Sequence, residues 1–442
     1  MANPTSTPAP VPAPDPPRSR SGRWDFTLLW VSGTISELAY SASLIALPLL
    51  VLTVTGSPSQ AGLVGFFDAL GLLAAGLPAG AIADRYDRRT VMLCCAGVQA
   101  LLFGLVAAML WSGIVSLPAL VVFALLNGAA TAVALATASA LVPSLVAPEK
   151  VSDAVALNSA RTYGGHLLGT ALGGLLQSAR NALPFLLGGL LHAVAFVLLA
   201  FMSRRPAAHR ESGRLWSRRE FVEGIQWIAG RPFLRLGIVY ATLTTFCYTA
   251  VYFIVIASAK ISGLDSGLVG LMAALVGVGG LLGSLLAPVL LRLLPGSRSI
   301  FLVLWLFALT TLGIALLPGS YTPGILLGLA ALSAPTANAY FTTHQLLLTP
   351  DSHRGRVMSV ANICGAGGGM LAPLAAGLAY EFAGRLPSLL GCAALLFVVA
   401  LSAVLSPVMR RPPRPPAERS DGPGPSDDAA VPDRSTGAVD PA

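Results

Sequence analysis

The sequence predicts an all-α polytopic membrane protein with twelve transmembrane helices in two pseudo-symmetric six-helix halves. Of its 442 residues, 55% are hydrophobic and only 11% are charged, whereas about a quarter of the residues in a soluble domain carry charge. Twelve apolar stretches between Phe26 and Val408 are each about long enough to cross a bilayer. Lys and Arg concentrate in every second gap between these stretches, and the other gaps carry only Arg180, Lys260 and Arg385. Because positive charge stays in the cytoplasm during insertion, we expect a multi-pass protein of the cell (inner) membrane with both termini cytoplasmic.

The apolar stretches define the spans in chain order. We expect the first half to span residues 26–54, 61–81, 90–111, 116–142, 155–177 and 182–202, and the second half to span residues 233–258, 266–290, 299–317, 322–348, 357–380 and 387–408. Helix-breaking turns separate several of them, such as TGSP at residues 55–58. The halves thus comprise residues 24–203 and 233–409. The Pro-, Ala- and Ser-rich tail 1–23 and the Pro-rich tail 410–442 are predicted to be disordered.

A long basic linker, residues 204–232, joins the two halves. In it, Phe221, Ile225 and Ile228 recur at helical spacing, which predicts a short amphipathic helix on the cytoplasmic membrane surface. The halves also echo each other, because LVAPE at residues 145–149 precedes span 5 and LLTPD at residues 347–351 precedes span 11. Two six-helix halves of this kind are common among secondary transporters, whose substrate site lies between the halves.

Composition and motifs also exclude several classes of protein. The net charge of +8 is spread over short loops, which is typical of topology determinants and not of a nucleic-acid surface. The five cysteines lie inside apolar spans without a C-x-x-C pair, so we expect neither disulfides nor a metal site. A phosphate-binding loop is missing, and no acid or histidine cluster indicates a membrane-embedded enzyme. We expect a bacterial protein that is a monomer in membrane lipid, with no cofactor and no nucleic-acid partner.

Residues 80–89, between spans 2 and 3, read GAIADRYDRR. This segment resembles the G-x-x-x-D-R-x-x-R-R signature of the major facilitator superfamily, at the same place in the order of spans. Gly80 would let the end of span 2 approach another helix closely, and Asp84 can accept from an arginine or from a helix N-terminus. The resemblance implies that Gly80, Asp84, Arg85, Arg88 and Arg89 form a cytoplasmic latch in the outward-open state.

Further segments resemble the enterobactin-exporter-like branch of the superfamily, which contains many bacterial drug and natural-product exporters. They are ALPLLV at 46–51, TGSP at 55–58, LNS at 157–159, EG at 223–224 and PDSHRGRVM at 350–358. The resemblance covers the whole membrane region. It implies export of a small amphipathic compound (a drug, siderophore or natural product) by proton antiport with alternating access. The alternative is a lipid-handling or facilitative transporter without proton coupling.

Two carboxylates, Glu37 in span 1 and Asp68 in span 2, lie at similar depths within the predicted membrane region. Ionisable groups near mid-membrane are costly and usually functional, and a buried carboxyl group can exchange protons near neutral pH. We therefore expect Glu37 to be the principal proton-coupling residue, assisted by Asp68. His166 in span 5 is a third candidate, as a proton relay, although a structural hydrogen bond is the alternative. We expect Arg161, near the cytoplasmic end of span 5, to extend to the membrane surface.

By resemblance to the superfamily, spans 1, 4, 7 and 10 line the central cavity. The candidate substrate contacts on these spans are Tyr40, Asn127, Tyr248, Tyr252, Asn338 and Tyr340. Glycine-rich stretches in spans 5 and 11 favour close helix packing. The packing candidates are Gly165, Gly169, Gly173 and Gly377. Span 5 also resembles the G-x-x-x-G-P-x-x-G motif of proton-coupled antiporters, with Thr170 in place of the proline.

Overall fold

The computed structural model describes residues 20–145, 151–203, 218–294 and 296–410, and all regular structure in these residues is α-helical. The helices are α1 (Arg20–Thr55), α2 (Pro58–Arg85), α3 (Arg88–Trp111), α4 (Leu117–Leu145), α5 (Val151–Ala179), α6 (Leu183–Ala200), α7 (Arg218–Ala229), α8 (Pro232–Ile261), α9 (Ser266–Leu293), α10 (Arg298–Leu316), α11 (Thr322–Leu347), α12 (Asp351–Ala383), α13 (Arg385–Leu405) and α14 (Pro407–Arg410). Helix α1 begins inside the range predicted as the N-terminal tail. The rest of that tail, the C-terminal tail from residue 411 and linker residues 204–217 lie outside the described residues.

Eleven helices in the described part of the chain are long and apolar enough to cross a membrane. Helix α5 is the remaining long helix of the bundle, with 29 residues. It is less apolar because it carries Arg161, Tyr163, His166 and Gln177, and it packs against α1, α6 and α9. The short helices α7 and α14 have 12 and 4 residues. The all-helical membrane architecture predicted from the sequence is thus confirmed.

The two halves repeat one pattern of helix packing. In α1–α6, helix α2 packs on α4, α1 packs on α5 and α6, and α3 packs on α4 and α6. The corresponding pairs recur in α8–α13, where α9 packs on α11, α8 packs on α12 and α13, and α10 packs on α11 and α13. Bundles built from such repeated halves place their binding site at the interface between the halves.

The halves meet along two seams, α2 with α12 and α5 with α9. We call the end of the bundle that carries the start of α1 and the end of α13 the terminal face, and the other end, which carries the turn at Gly56, the opposite face. On the α5–α9 seam, a Cβ atom added to Gly174 would lie 2.6 Å from the Cα atom of Gly270. Only glycine allows two helices to approach this closely.

The α2–α12 seam closes the opposite face by backbone contact. A Cβ atom added to Gly377 would lie 3.0 Å from the carbonyl carbon of Pro58 and closer still to its oxygen. One added to Gly62 would lie 3.0 Å from the carbonyl carbon of Pro373. Each half therefore presents a glycine to the backbone of the other half, and the two helices leave no space between them there.

A polar contact between the halves lies beside these glycines. Glu381 Oε2, near the end of α12, accepts hydrogen bonds from Ser57 Oγ at 2.7 Å and from the Ser59 backbone N–H at 2.9 Å. Ser57 is also the N-cap of α2, and its hydroxyl accepts from the Gln60 N–H. Negative charge is favoured at a helix N-terminus because the first N–H groups are unpaired. A carboxylate of the second half thus caps a helix of the first half at the opposite face.

The linker helix α7 packs on the second half. Arg356 Nη1 of α12 donates to Glu223 Oε2 at 2.7 Å, and Ile228 is buried in an apolar cluster with residues of the second half. Ile225 remains 43% exposed, and the side chain of Phe221 lies outside the described residues. The helix expected in the linker is formed, and its Ile228 packs against protein. The position of this helix on the cytoplasmic membrane surface stays a prediction.

Candidate functional site

A cavity of about 610 Å³ lies between the two halves. Its wall comes mainly from α1, α5, α8, α10 and α11 and consists largely of apolar side chains. Its carboxylate, imidazole and amide groups come from Glu37, His166 and Asn338. The cavity extends towards the terminal face, where Ile300 and Met409 form part of the wall. An apolar cavity with a few polar groups is the usual form of a small-molecule site.

A second cavity of about 320 Å³ adjoins the first. Both are lined by Leu44, His166, Tyr248 and Val276. The smaller cavity contains the carboxylate Asp68. It reaches the α2–α12 seam, which contributes residues to its wall. The two neighbouring cavities together form the candidate site, with one carboxyl group in each part.

Glu37 lies where α1 contacts α5. A Cβ atom added to Gly165 would lie 2.5 Å from Glu37 Cγ, so glycine at this position leaves room for the Glu37 side chain. Arg161, one helical turn earlier on α5, attracts the Glu37 carboxylate electrostatically. The wall of the larger cavity thus contains the carboxyl group of Glu37, and the basic group of Arg161 lies behind it on α5.

The structure corrects the expectation that Arg161 extends to the membrane surface. Its guanidinium occupies the space that a side chain at Gly33 of α1 would fill. Its Nε atom is buried and has no hydrogen-bond partner among the described residues. The guanidinium turns towards α1 because Gly33 leaves space for it and Glu37 provides the opposite charge. Arg161 is therefore a cation within the α1–α5 contact, close enough to interact electrostatically with Glu37.

Asp68 lies at the centre of a buried polar network. Tyr40 OH donates to Asp68 Oδ2 at 3.3 Å, and Asn127 Nδ2 donates to Oδ1 at 3.2 Å. Gln99 Nε2 donates to Asn127 Oδ1 at 3.3 Å and to Thr131 Oγ1 at 3.0 Å. Buried polar groups need such partners. The network joins α1, α2, α3 and α4 and holds the Asp68 carboxylate at the edge of the smaller cavity.

Four of the six predicted substrate contacts line the cavities. Tyr40 and Tyr252 line the smaller cavity, Asn338 lines the larger one, and Tyr248 lines both. His166, predicted as a proton relay, also lines both. Glu37 and Asp68 are brought into the same pair of cavities, as their similar predicted depths indicated.

The other two predicted contacts, Asn127 and Tyr340, do not line either described cavity. Asn127 lies behind Asp68, and its amide is used in the polar network. Tyr340 packs on His344, with ring centroids 4.1 Å apart, in an apolar cluster of the second half. Both residues are on the helices expected to line the cavity, but the rotation of each helix about its axis points them elsewhere.

Sequence reasoning missed several polar residues of the larger cavity, among them Ser41, Tyr163 and Thr244. The hydroxyls of Ser41, Thr244 and Tyr248 are buried without a hydrogen-bond partner among the described residues. Helical spacing is the signal that could have found them, since Ser41 follows Glu37 by one turn and Thr244 precedes Tyr248 by one turn. These hydroxyls are available to a bound molecule.

Three of the predicted packing glycines lie against α1. A Cβ atom added to Gly169 would lie 2.6 Å from Ser41 Cβ, and one added to Gly173 would lie 2.6 Å from the Ala42 carbonyl oxygen. Gly165 faces Glu37, as described above, and Gly377 lies on the seam between the halves. At the place of the motif's proline, Thr170 keeps α5 a continuous helix and donates to the His166 carbonyl at 2.6 Å.

The predicted latch residues contact only their own half in the described contacts. Asp84 and Arg88 form an ion pair at 3.5 Å. Arg88 and Arg89 donate to backbone carbonyls near the ends of α4 and α6, where helix carbonyls need partners. Arg85 is exposed. A Cβ atom added to Gly80 would meet nothing within 4 Å, so the expected close approach of another helix is not made in this conformation.

Comparison with solved structures supports the fold. A variant of the nucleoside transporter NupG has a TM-score of 0.71 at 13% identity, over 86% of this chain and 98% of that chain. A bacterial homolog of the human lysosomal transporter Spinster, in an inward-facing and unoccupied conformation, has a TM-score of 0.68 at 16% identity, over 87% and 96%. A D-xylose–proton symporter has a TM-score of 0.62 at 18% identity, over 86% of this chain and 97% of that chain. At these identities the likeness shows the fold alone.

Comparison of the sequence with curated proteins finds no match. The family model of the Major Facilitator Superfamily matches residues 29–349. This range contains the first half from residue 29, the linker and the second half as far as the end of α11. Glu37, Asp68 and the glycines of the α5–α9 seam lie within it. The chain therefore belongs to the major facilitator superfamily and is a multi-pass membrane transporter.

Proposed function

We propose that this protein is a secondary active transporter that exports a small amphipathic compound in exchange for protons. The observation that carries the proposal is the carboxylate of Glu37 in the wall of an apolar cavity between two pseudo-symmetric halves. An ionisable group at such a place is costly to keep without a function. The branch resemblance of the sequence favours a drug, siderophore or natural product as the exported compound.

In this proposal, alternating access results from closing the contact between the halves at one face while it opens at the other. The opposite face is closed by Gly377 and Gly62 of the α2–α12 seam, whereas Gly80 at the other end of α2 has no near neighbour. We infer that the terminal face is the cytoplasmic one, because the Arg-rich loops lie there. The conformation is then inward-facing, and the latch of residues 80–89 is released. In the outward-facing state the two ends would exchange roles, as rigid halves rock about the fixed site.

Proton coupling depends on the partners of Glu37. In its ionised form, Glu37 is attracted by Arg161 across the α1–α5 contact. Protonation removes this attraction and weakens one contact next to the cavity. Such a change biases a two-state equilibrium only by the difference in its interaction free energy between the two states. His166 and Asp68, which line the adjoining cavity, provide the further proton-carrying groups of the site.

The experiment uses purified protein in liposomes with an imposed pH gradient. Glu37→Gln mimics the protonated form with almost no change of volume. It should abolish gradient-driven accumulation of a transported dye while leaving energy-independent exchange of the same dye intact. Asn338→Ala, which changes an uncharged side chain in the same cavity, is the matched control and should retain coupling to the gradient.

Two outcomes contradict the proposal at different levels. If the Glu37→Gln protein still accumulates the dye at the wild-type rate, the coupling role moves to Asp68 or His166. If the pH gradient has no effect on the wild-type protein, proton antiport is wrong. A facilitative or lipid-handling function, the alternative indicated by the sequence, then becomes the better explanation, and lipid movement in the same liposomes distinguishes the two.

A further inference from the structure

The smaller cavity combines one carboxylate with several aromatic side chains. Asp68 lines it together with Tyr40, Tyr248, Tyr252 and Phe253. The hydroxyls of Tyr248 and Tyr252 are buried and have no hydrogen-bond partner among the described residues. Faces of aromatic rings attract cations, and several rings around one space are the usual means of binding a quaternary ammonium group.

The charge of Asp68 is not balanced by a basic residue. Asp68 is 7% exposed, and its described hydrogen bonds come from two neutral donors, Tyr40 and Asn127. The lining residues of the smaller cavity include no Lys or Arg, and His166 is their single basic side chain. A carboxylate can accept more hydrogen bonds than these two. An unpaired carboxylate in an apolar site favours a cation beside it.

The larger cavity differs in this respect. Its carboxylate, Glu37, already has the guanidinium of Arg161 behind it, and the remaining wall is mainly apolar. The two cavities are neighbours and share Leu44, His166, Tyr248 and Val276 in their walls. A molecule that extends through both cavities would therefore have its cationic group near Asp68 and its apolar group near Glu37.

We propose that the smaller cavity is a binding subsite for the ammonium group of an organic cation, held by Asp68 and the surrounding aromatic rings. The larger cavity accepts the apolar part of the same molecule. This inference deepens the proposed function and rests on it for the direction of transport. Equilibrium binding requires no proton gradient, so the two proposals can fail separately.

The test measures equilibrium binding of benzyltrimethylammonium to the full chain in lipid nanodiscs by calorimetry, with empty nanodiscs subtracted. Neopentylbenzene, in which carbon replaces the charged nitrogen, is the matched neutral probe. The wild-type protein should bind the cation and show no saturable binding of the neutral probe. Asp68→Asn should weaken binding of the cation at least about tenfold, as expected for the loss of one partner of a buried charge pair.

A second pair of variants protects the test against misfolding of Asp68→Asn. Tyr252→Phe keeps the ring and should bind the cation as the wild type does, whereas Tyr252→Leu removes the ring and should weaken binding several-fold. Equal binding by these two variants, unchanged binding in a folded Asp68→Asn protein, or absence of binding to the wild type would each overturn the subsite. If the wild type binds the cation but the Glu37→Gln protein still accumulates the dye under the pH gradient at the wild-type rate, the coupling proposal fails and the subsite stands.

Discussion

The seam at Gly377 provides a sharp test of how the two halves move. A Cβ atom at this position would lie 3.0 Å from the carbonyl carbon of Pro58 and 3.1 Å from Ser59 Cα. All of these are backbone atoms in a helix, which cannot move aside as the end of a flexible side chain can. Gly377→Ala should therefore destabilise the conformation in which α2 and α12 are in contact at the opposite face.

The magnitude follows from the cost of overpacking. Adding a methyl group to a well-packed contact typically costs about 1–3 kcal/mol. The conformation with the opposite face open separates these helices and does not bear this cost. The equilibrium should thus shift towards that conformation by roughly 5–150-fold. The intrinsic gain of about 1 kcal/mol for alanine over glycine in a helix applies to both conformations and cancels.

The assay measures the distance between spin labels at Ser112 and Ser320, which lie in turns of the opposite face in different halves. Gly377→Ala should increase the population with a long distance between the labels. Gly367→Ala is the matched control on the same helix, because a Cβ atom there would meet nothing within 4 Å. It should give the wild-type distance distribution.

An independent substitution on the other side of the seam checks the reasoning. Gly62→Ala places a methyl group against the Pro373 backbone and should shift the distances in the same direction as Gly377→Ala. If Gly377→Ala and Gly367→Ala give the same distribution, or if Gly62→Ala shifts the distances in the opposite direction, the seam does not control opening of this face.

Two further predictions concern the terminal face. Asp84→Asn should leave the fold intact and reduce the outward-open population by at most roughly fivefold, as expected for one exposed charge contact of up to about 1 kcal/mol. The measurement is labelling of single cysteines placed on each face. If the mutant and the wild type are labelled to the same extent on each face, the latch role is wrong. For orientation, a reporter fused after Arg410 should read cytoplasmic and one inserted at Ser112 should read external, and the reverse pattern would invalidate the assignment of the terminal face.

The predicted latch motif, residues 80–89, has no described contact with the second half in this conformation. Arg88 and Arg89 bind carbonyls of α4 and α6, and these contacts stay within one rigid half. Asp84 is half-exposed in its pair with Arg88. In the proposed mechanism, the latch forms its contacts between the halves only when these rock together at the terminal face, so we expect none of these contacts while the opposite face is closed.

Parts of the candidate site could be predicted from the sequence, because they depend only on where a residue stands within an apolar stretch. A carboxylate inside an apolar stretch is detectable by its position alone, and Glu37 and Asp68 both line the cavities. Tyr248 and Tyr252, one turn apart on α8, also line the cavities. Asn127 and Tyr340 line neither cavity, and the sequence does not indicate this, since the spans are apolar around most of their circumference. A pattern without a polar stripe does not tell which side of a helix faces the cavity.

The sequence by itself determined the helical class, the order of the spans and the division into two six-helix halves. Bilayer thickness sets the length of each apolar stretch, and the superfamily motif marks the loop between spans 2 and 3. Only the tertiary structure decided the partners of the charged groups. Arg161 turns to Glu37 because α5 packs its glycines against α1, and Asp68 is held by Tyr40 and Asn127 because α1, α2 and α4 meet there. Such pairings depend on helix rotation and contact, which involve residues far apart in the chain.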